Sequence, residues 1–405
     1  MTWLRVAGAE EFTPPRFNSG RSSCLRESFV KSTRYDCLDA LRGLAASIVV
    51  LHHCFRAFDD TSQGLLWWLD KTPLRLLVSG RPAVILFFVL SGFVLALSLE
   101  GGMKYRDFVV RRFCRIYLPF AASILLAMGL FLFVEQATLP GYTAWYNRDE
   151  PITLSLILGH LLMLGDATDS SLNPVMWSLV YELRISLVFP LIMWATYRYR
   201  TWTVLASSLA ASLCAYAALR YLGYGPREFH FSTSAAAAIC LTVHFTFYFF
   251  IGAALAKHRD YLVGFARGLA PAQRFALLVA SSAVLIGTSM FVTDISLGIL
   301  SAVLIVLVLG SGTMTKALLE SGPAAFLGRI SYSLYLVHMP VFYFVAHAWP
   351  GGAMPMRLIW VAWPVLAVAA AAISYRWIEQ PSMALGRNAV GWVKARPAGP
   401  VTLHG

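Results

Sequence analysis

Charge is scarce in this 405-residue chain: Asp, Glu, Lys and Arg make up 13% of it, against 58% hydrophobic residues. With a mean hydropathy of +0.63 and apolar blocks recurring from residue 38 to 378, that shortage excludes a soluble domain around a buried core. It predicts an all-α polytopic membrane protein. Cysteine is sparse: the six, at 24, 37, 54, 114, 214 and 240, show no paired spacing and several fall inside predicted helices. Neither a disulfide framework nor a metal site is expected. Internal repeats and low-complexity tracts are absent. The N-terminal stretch lacks an early apolar core and a small-residue cleavage site, so the first span is expected to insert as an uncleaved anchor. Acidic residues are the scarcer sign, leaving a net charge of +12. The excess cations sit beside apolar segments, where membrane topology accounts for them and no nucleic-acid partner is expected.

What is present is a succession of apolar blocks of bilayer length. Spans are predicted at 38–58, 81–99, 113–134, 176–196, 202–222, 235–256, 275–292, 295–311, 330–347 and 357–378, a bundle of about ten transmembrane helices in the lipid bilayer. A basic tail (1–34) precedes a membrane domain (35–381), and a short tail (382–405) follows. The piece Ile152 to Leu164, with Gly159 and His160 inside it, is too short to cross and reads as a re-entrant or interfacial helix. With that piece not crossing, 24 Lys and Arg fall on the N-terminal side of the membrane and 8 on the other. The positive-inside rule then puts both termini in the cytoplasm and makes 135–175, with Asp149, Glu150, Asp166 and Asp169, the largest external loop.

Against this apolar background the ionisable residues stand out, because a charge inside a membrane helix is costly and commonly faces a cavity. In Asp39–His53, at about 100° per residue, Asp39, Arg42, Val49 and His53 share one stripe while His52 points about 100° away. Arg42 and His53 are eleven residues apart, roughly 16 Å along the axis. The plain alternative is an interfacial arginine and a packing histidine. Glu182 lies about as deep in span four as His53 does in span one, roughly 8–9 Å from the same side. A carboxylate at that depth could raise the histidine's basicity and fix its tautomer, which suits general-base removal of a hydroxyl proton. The competing partner, Arg184, is two positions on and faces away on a helix.

Arg112 and Arg115 are one turn apart before span three and project from one face at the membrane surface. Paired guanidiniums suit phosphates, and they equally suit topology anchoring or lipid head groups. In span two, Gly92 of Phe87-Phe88-Val89-Leu90-Ser91-Gly92-Phe93 is expected to mark close helix packing. Ser331, Tyr335 and His338 share a face by i, i+4, i+7 spacing and form a polar stripe, with His338 equally readable as a structural histidine. His244 and His347 stand isolated and read as packing or interfacial residues.

These motifs closely resemble the integral-membrane acyltransferase-3 family, which acylates sugars and related acceptors at bacterial membranes. The resemblance runs in order through Leu38-Asp39-Ala40-Leu41-Arg42-Gly43 to His53, Phe87 to Phe93, Arg112 to Pro119, Trp177-Ser178-Leu179 to Glu182, Ile330 to Pro340, and Glu379-Gln380-Pro381. It covers about residues 35–381. The family's spacing selects His53 over His52 and implies that Arg112 and Arg115 serve the acyl-CoA side. Leu183, Arg184 and Ile185 depart from it, where many members carry a second acidic residue and aromatics. No esterase-type domain of the SGNH class follows residue 381.

The implied protein is an O-acyltransferase of the bacterial inner membrane. It would move an acyl group, acetyl foremost, from cytoplasmic acyl-CoA to a hydroxyl of a carbohydrate or lipid-linked sugar acceptor. His53, Glu182 and Arg42 would be catalytic, Arg112 and Arg115 would hold the donor's phosphates, and Ser91, Ser178 or Tyr335 would stabilise the oxyanion. His53 could act as base or as an acyl-carrying nucleophile. The rival class, a secondary transporter or exporter, fits the bundle and its charges but predicts internal repeats and matching broken helices, which the chain lacks.

Overall fold

In the computed structural model of the protein, the chain from Asp36 onward forms one unit. The structure describes residues 36–58, 72, 74–75, 79–133, 139, 141–142, 152–163, 172–225, 234–287, 293–349 and 355–395. The basic tail 1–34, most of the 135–175 loop with its acidic residues, and residues 396–405 lie outside the described residues.

Every regular element among the described residues is helical, and an isolated Phe58–Tyr142 bridge is the sole extended pairing there. In chain order they are α1 (Asp36–Arg56), α2 (Gly80–Glu100), α3 (Tyr105–Phe131), α4 (Leu154–Leu161), α5 (Met176–Arg198), α6 (Thr201–Tyr221) and α7 (Ala235–Lys257). Then come α8 (Arg259–Gly268), α9 (Pro271–Gly287), α10 (Thr293–Leu309), α11 (Thr313–Leu319), α12 (Gly322–His347), α13 (Met356–Ser374), a π-helical turn (Tyr375–Glu379) and α14 (Gln380–Ala395). Each of the ten expected spans falls on one of these helices, and among the described residues seven helical stretches are long and apolar enough to cross a bilayer. The protein is an all-α polytopic membrane protein.

Three boundaries differ from expectation. α3 begins at Tyr105, eight residues before the expected start at 113, so Arg106, Arg111 and Arg112 stand on the helix itself, with Asp107 in its first turn near its positive end. α12 begins at Gly322 with Pro323 in its first turn, a position where a missing N–H costs nothing. The segment beyond Pro381, read as a tail, continues through the π-turn as α14 and packs on α3.

Two helix pairs make the frame: α1 lies along α12, and α2 along α7. Both contacts depend on missing side chains. A methyl group at Gly92 would strike the Phe249 carbonyl, and one at Gly252 the Val89 carbonyl. Gly43 and Gly328 meet the facing backbone of α12 and α1 in the same way. The packing role expected of Gly92 is the one found, since only small residues let membrane helices approach this closely.

α4 is an eight-residue helix, capped by Thr153 Oγ1 accepting from Leu156 N–H at 3.2 Å, and far too short to cross. It is tied down by polar contacts. Asn173 N–H donates to His160 Nε2 at 3.2 Å, and Asn173 Nδ2 donates to the Leu336 carbonyl on α12 at 2.9 Å. Arg184 donates to the carbonyl of Met163, a residue at φ 53°, at 3.4 Å. The arginine that departs from the family pattern therefore caps the end of this short helix.

Candidate active site

Five helices, α1, α2, α3, α5 and α12, enclose a cavity of about 260 Å³. Its α2 wall carries Val84, Phe87, Phe88, Ser91, Val94, Leu95 and Ser98, one helical face by spacing. From Val84 to Ser98 that wall rises about 21 Å at 1.5 Å per residue. The Ser98 end is the end of the bundle where α2 gives way to α3. Of the nine residues expected at the site, Arg42, Ser91, Arg112, Arg115, Ser178, Glu182 and Tyr335 line the cavity, and His53 and His338 do not.

Charge in the cavity is unbalanced. Arg42, Arg111, Arg112 and Arg115 line it with Glu182 as the sole lining carboxylate. Arg42 NH1 donates to Asp39 Oδ1, one turn back, at 3.0 Å. Glu182 Oε1 accepts from Ser91 Oγ at 2.9 Å and faces Arg112 NH2 at 3.7 Å. The Arg112 side chain is 13% exposed, and its Nε has no hydrogen-bond partner among the described residues. Arg111 and Arg115 are exposed, so each carboxylate is committed and two guanidiniums at the mouth keep their donors available for an anion. Arg111, one position from an expected residue, was missed because the i, i+3 spacing of Arg112 and Arg115 drew the reading to a single face.

The other end is apolar and roofed by hydroxyls. Tyr335 OH and Ser178 Oγ share a hydrogen bond of 2.7 Å between α12 and α5, and Tyr335 OH also donates to the Val175 carbonyl at 3.3 Å. The Phe87 ring meets the Tyr335 ring edge-on, centroids 5.9 Å apart. Beyond the roof the rings continue: His338 lies 6.0 Å from Tyr335, and His53 lies 5.4 Å from His338. His338 is fully buried, stacks on Trp363 and donates from Nδ1 to the Leu334 carbonyl at 3.1 Å. His53 thus sits behind the closed end of the cavity rather than in its wall.

The expected His53–Glu182 pair is not formed. Glu182 turns to Ser91 and Arg112, while the His53 ring lies beside those of His52 and His338. Glu182 lies one turn past Ser178 toward the arginine end of the cavity, whereas His53 lies behind the Tyr335–Ser178 roof at the other end. Counting residues from the span ends therefore did not give a common depth for the two. The Arg112 guanidinium likewise turns into the bundle instead of lying at the membrane surface.

A second polar cluster escaped the sequence. Arg81 on α2 donates from Nε and NH2 to the two carboxylate oxygens of Asp294 on α10, at 2.7 and 2.6 Å. His244 Nε2 on α7 lies 3.5 Å from Asp294 Oδ2, and its Nδ1 bonds Ser212 Oγ on α6 at 2.9 Å. His244, expected to be isolated, joins a network across four helices. Buried Glu379, in the π-turn, accepts from Ser333 Oγ at 2.6 Å; in sequence it shows only as part of the Glu379-Gln380-Pro381 motif.

Residues 35–376 match the Acyl_transf_3 family, described as an acyltransferase domain, and the chain belongs to that family. The O-acetyltransferase PaAT-1 of Phomopsis amygdali is 34% identical over 144 residues, covering 29% of this chain and 28% of the relative. The acyltransferase MdmB of Streptomyces mycarofaciens is 30% identical over 190 residues, 45% of this chain and 46% of the relative. Nodulation protein 10 of Rhizobium leguminosarum bv. viciae is 28% identical over 380 residues, 87% of this chain and 94% of the relative. The chain thus spans less than half the length of the first two relatives and nearly all of the third. No solved structure matches it.

Proposed function

We propose that the protein is a membrane O-acyltransferase that takes a short acyl group, acetyl foremost, from acyl-CoA and gives it to a hydroxyl of a sugar, a lipid-linked sugar or a related envelope acceptor. The observation that carries this reading is the cavity: arginines with free donors at one end, an apolar slot, and a hydroxyl roof with histidines behind it. The name of PaAT-1, an O-acetyltransferase, supports transfer to oxygen. At about 260 Å³ the space is below the roughly 300–1,000 Å³ of sites that engulf a drug-sized ligand. It suits the thin thioester arm, with the nucleotide left outside the mouth.

The excess of cations on the N-terminal side supports a cytoplasmic mouth, both termini in the cytoplasm and residence in the bacterial inner membrane. The donor's phosphates bind Arg111, Arg112 and Arg115, with Glu182 holding Arg112 in place. The arm runs past Arg42 to the roof. The acceptor arrives from the opposite face at His53, and parting of the Tyr335–Ser178 hydrogen bond, closed while the donor binds, joins the two halves and frees both hydroxyls. His53 takes the hydroxyl proton, the oxygen attacks the thioester carbonyl, and Ser178 and Tyr335 donate to the oxyanion. The C–S bond then breaks, and the CoA thiolate leaves and takes up a proton. In an acyl-histidine variant of this route the carbonyl is first attacked by His53.

The test uses the full chain in liposomes with labelled acetyl-CoA and envelope extract as acceptor source. Label should appear in the acceptor fraction. His53→Ala should reduce transfer by about 10²–10⁴-fold, while His52→Ala stays near the parent. Label that remains on the protein when acceptor is omitted would identify the acyl-histidine route. Folded protein that releases no CoA, or a fully active His53→Ala variant, would sink the reading.

A further inference from the structure

We propose that Phe87 sets the length of acyl chain the cavity accepts, with the Tyr335–Ser178 hydrogen bond as the roof against which the chain ends. This rests on the acyl-CoA reading of the cavity and specifies the donor class: thioesters of short, unbranched acids.

Three observations carry it. First, the charge in the cavity is confined to one end: the guanidiniums and Glu182 stand there among apolar side chains such as Leu95 and Phe108, while the end with Val84, Phe87, Phe88 and Leu179 carries no charge. An acyl thioester anchored by its phosphates therefore delivers its hydrocarbon tip to the Phe87 end. Second, that end is closed. Tyr335 is held to Ser178 at 2.7 Å and to the Val175 carbonyl at 3.3 Å, and His338, one turn further along α12, is fully buried and outside the cavity lining.

Third, the two phenylalanines at the closed end are not equivalent. Phe88 is 1% exposed and wedged among Trp177, Phe245 and Phe249, with ring centroids 5.1–6.4 Å away. It belongs to the packing between α2, α5 and α7. Phe87 is half-buried, and Tyr335 is its ring partner among the described residues. Its remaining surface faces the slot, so trimming it lengthens the space without unpacking the frame. An apolar slot discriminates one methylene by about 10- to 200-fold when the extra group does not fit, and gains about 4-fold per methylene when it does.

The experiment measures equilibrium binding of acetyl-, butyryl- and hexanoyl-CoA to the detergent-solubilised full chain, which requires no acceptor. The parent should bind acetyl-CoA best and lose at least about 10-fold by hexanoyl-CoA. Phe87→Ala should restore hexanoyl-CoA by a similar factor while acetyl-CoA changes little. Phe87→Trp should move the limit the other way and weaken butyryl-CoA. Leu191→Ala, on the outer surface of α5, should leave the profile alone. If Phe87→Ala does not fold, Phe87→Leu and Phe87→Trp still bracket the limit from either side. Acyl-CoA binding with the same chain-length profile in parent and Phe87 variants would overturn the ruler and leave the donor reading standing. Folded parent that binds none of the three would overturn both.

Discussion

The bundle holds two buried charge clusters, and they are built on opposite plans. In the outer one, Arg81 and Asp294 match donor to acceptor twice over, with His244 and Ser212 closing the remaining side. In the cavity, cations outnumber carboxylates, the Arg112–Glu182 contact is a single one at 3.7 Å, and the Arg112 Nε is left over. A cluster whose opposite charges are matched inside the protein has little left to attract an ion, even though the His244 Nε2 beside it makes no hydrogen bond among the described residues. One with surplus donors has been kept in the membrane at an energetic cost that a bound anion would offset. Charge balance, more than burial, is what distinguishes the two clusters.

The sharpest way to break that contrast is Asp294→Ala. Removing one partner of a buried pair typically costs about 3–5 kcal/mol because the other charge is left without its match. The folded fraction and the melting temperature in detergent should both fall. The double change Arg81→Met with Asp294→Leu should recover much of the loss, since an apolar pair of similar volume is often neutral or better. A well-folded Asp294→Ala protein would show that the outer cluster is not the structural one.

Arg112→Ala with Arg115→Ala should lower the melting temperature less than Asp294→Ala does, since Arg112 meets Glu182 through a single 3.7 Å contact. Each charge-assisted phosphate contact contributes about 1.5–3 kcal/mol, so the KM for acyl-CoA should rise roughly 10-fold or more, read from donor-dependent initial rates. Unchanged donor kinetics would reduce the pair to topology anchors.

Glu182→Gln should act more weakly, since the amide oxygen can still accept from Ser91 while the hold on Arg112 is loosened. Its donor KM should shift by a few-fold, about 1 kcal/mol or less, with kcat near the parent's. A large fall in kcat at an unchanged donor KM would instead favour the expected pairing of Glu182 with His53. Smallest of all, His244→Gln should lower the melting temperature by no more than about 1 kcal/mol allows, because the 3.5 Å contact it loses only flanks the bidentate Arg81–Asp294 pair.

Period, length and charge bias made the helices and their order legible, since each is written along one segment of chain. They also gave the separation of Arg42 and His53 along one helix, but they set Glu182 level with His53 when it lies with Arg112 at the arginine end. They could not give azimuth, because which helices adjoin is decided by close contacts such as Gly92 on Phe249 and Gly43 on Gly328. That is why His244 looked isolated when its partners are 32 residues before it and 50 after it on other helices. The start of α3 at Tyr105 was obscured by its arginines, which read as a surface segment until the helix turns them inward.

The four frame glycines carry a mechanical consequence. Where backbone meets backbone, α1 with α12 and α2 with α7 behave as riveted ribs, because any sliding drives main-chain atoms together. α3 and α5 have no such rivet to the ribs beside the cavity; what ties α5 to α12 there is the Ser178–Tyr335 hydrogen bond. The seams around the slot are closed instead by side-chain hydrogen bonds, Tyr105 to the Leu187 carbonyl between α3 and α5 and Ser91 to Glu182 between α2 and α5, which can re-form after a small shift where a backbone contact cannot.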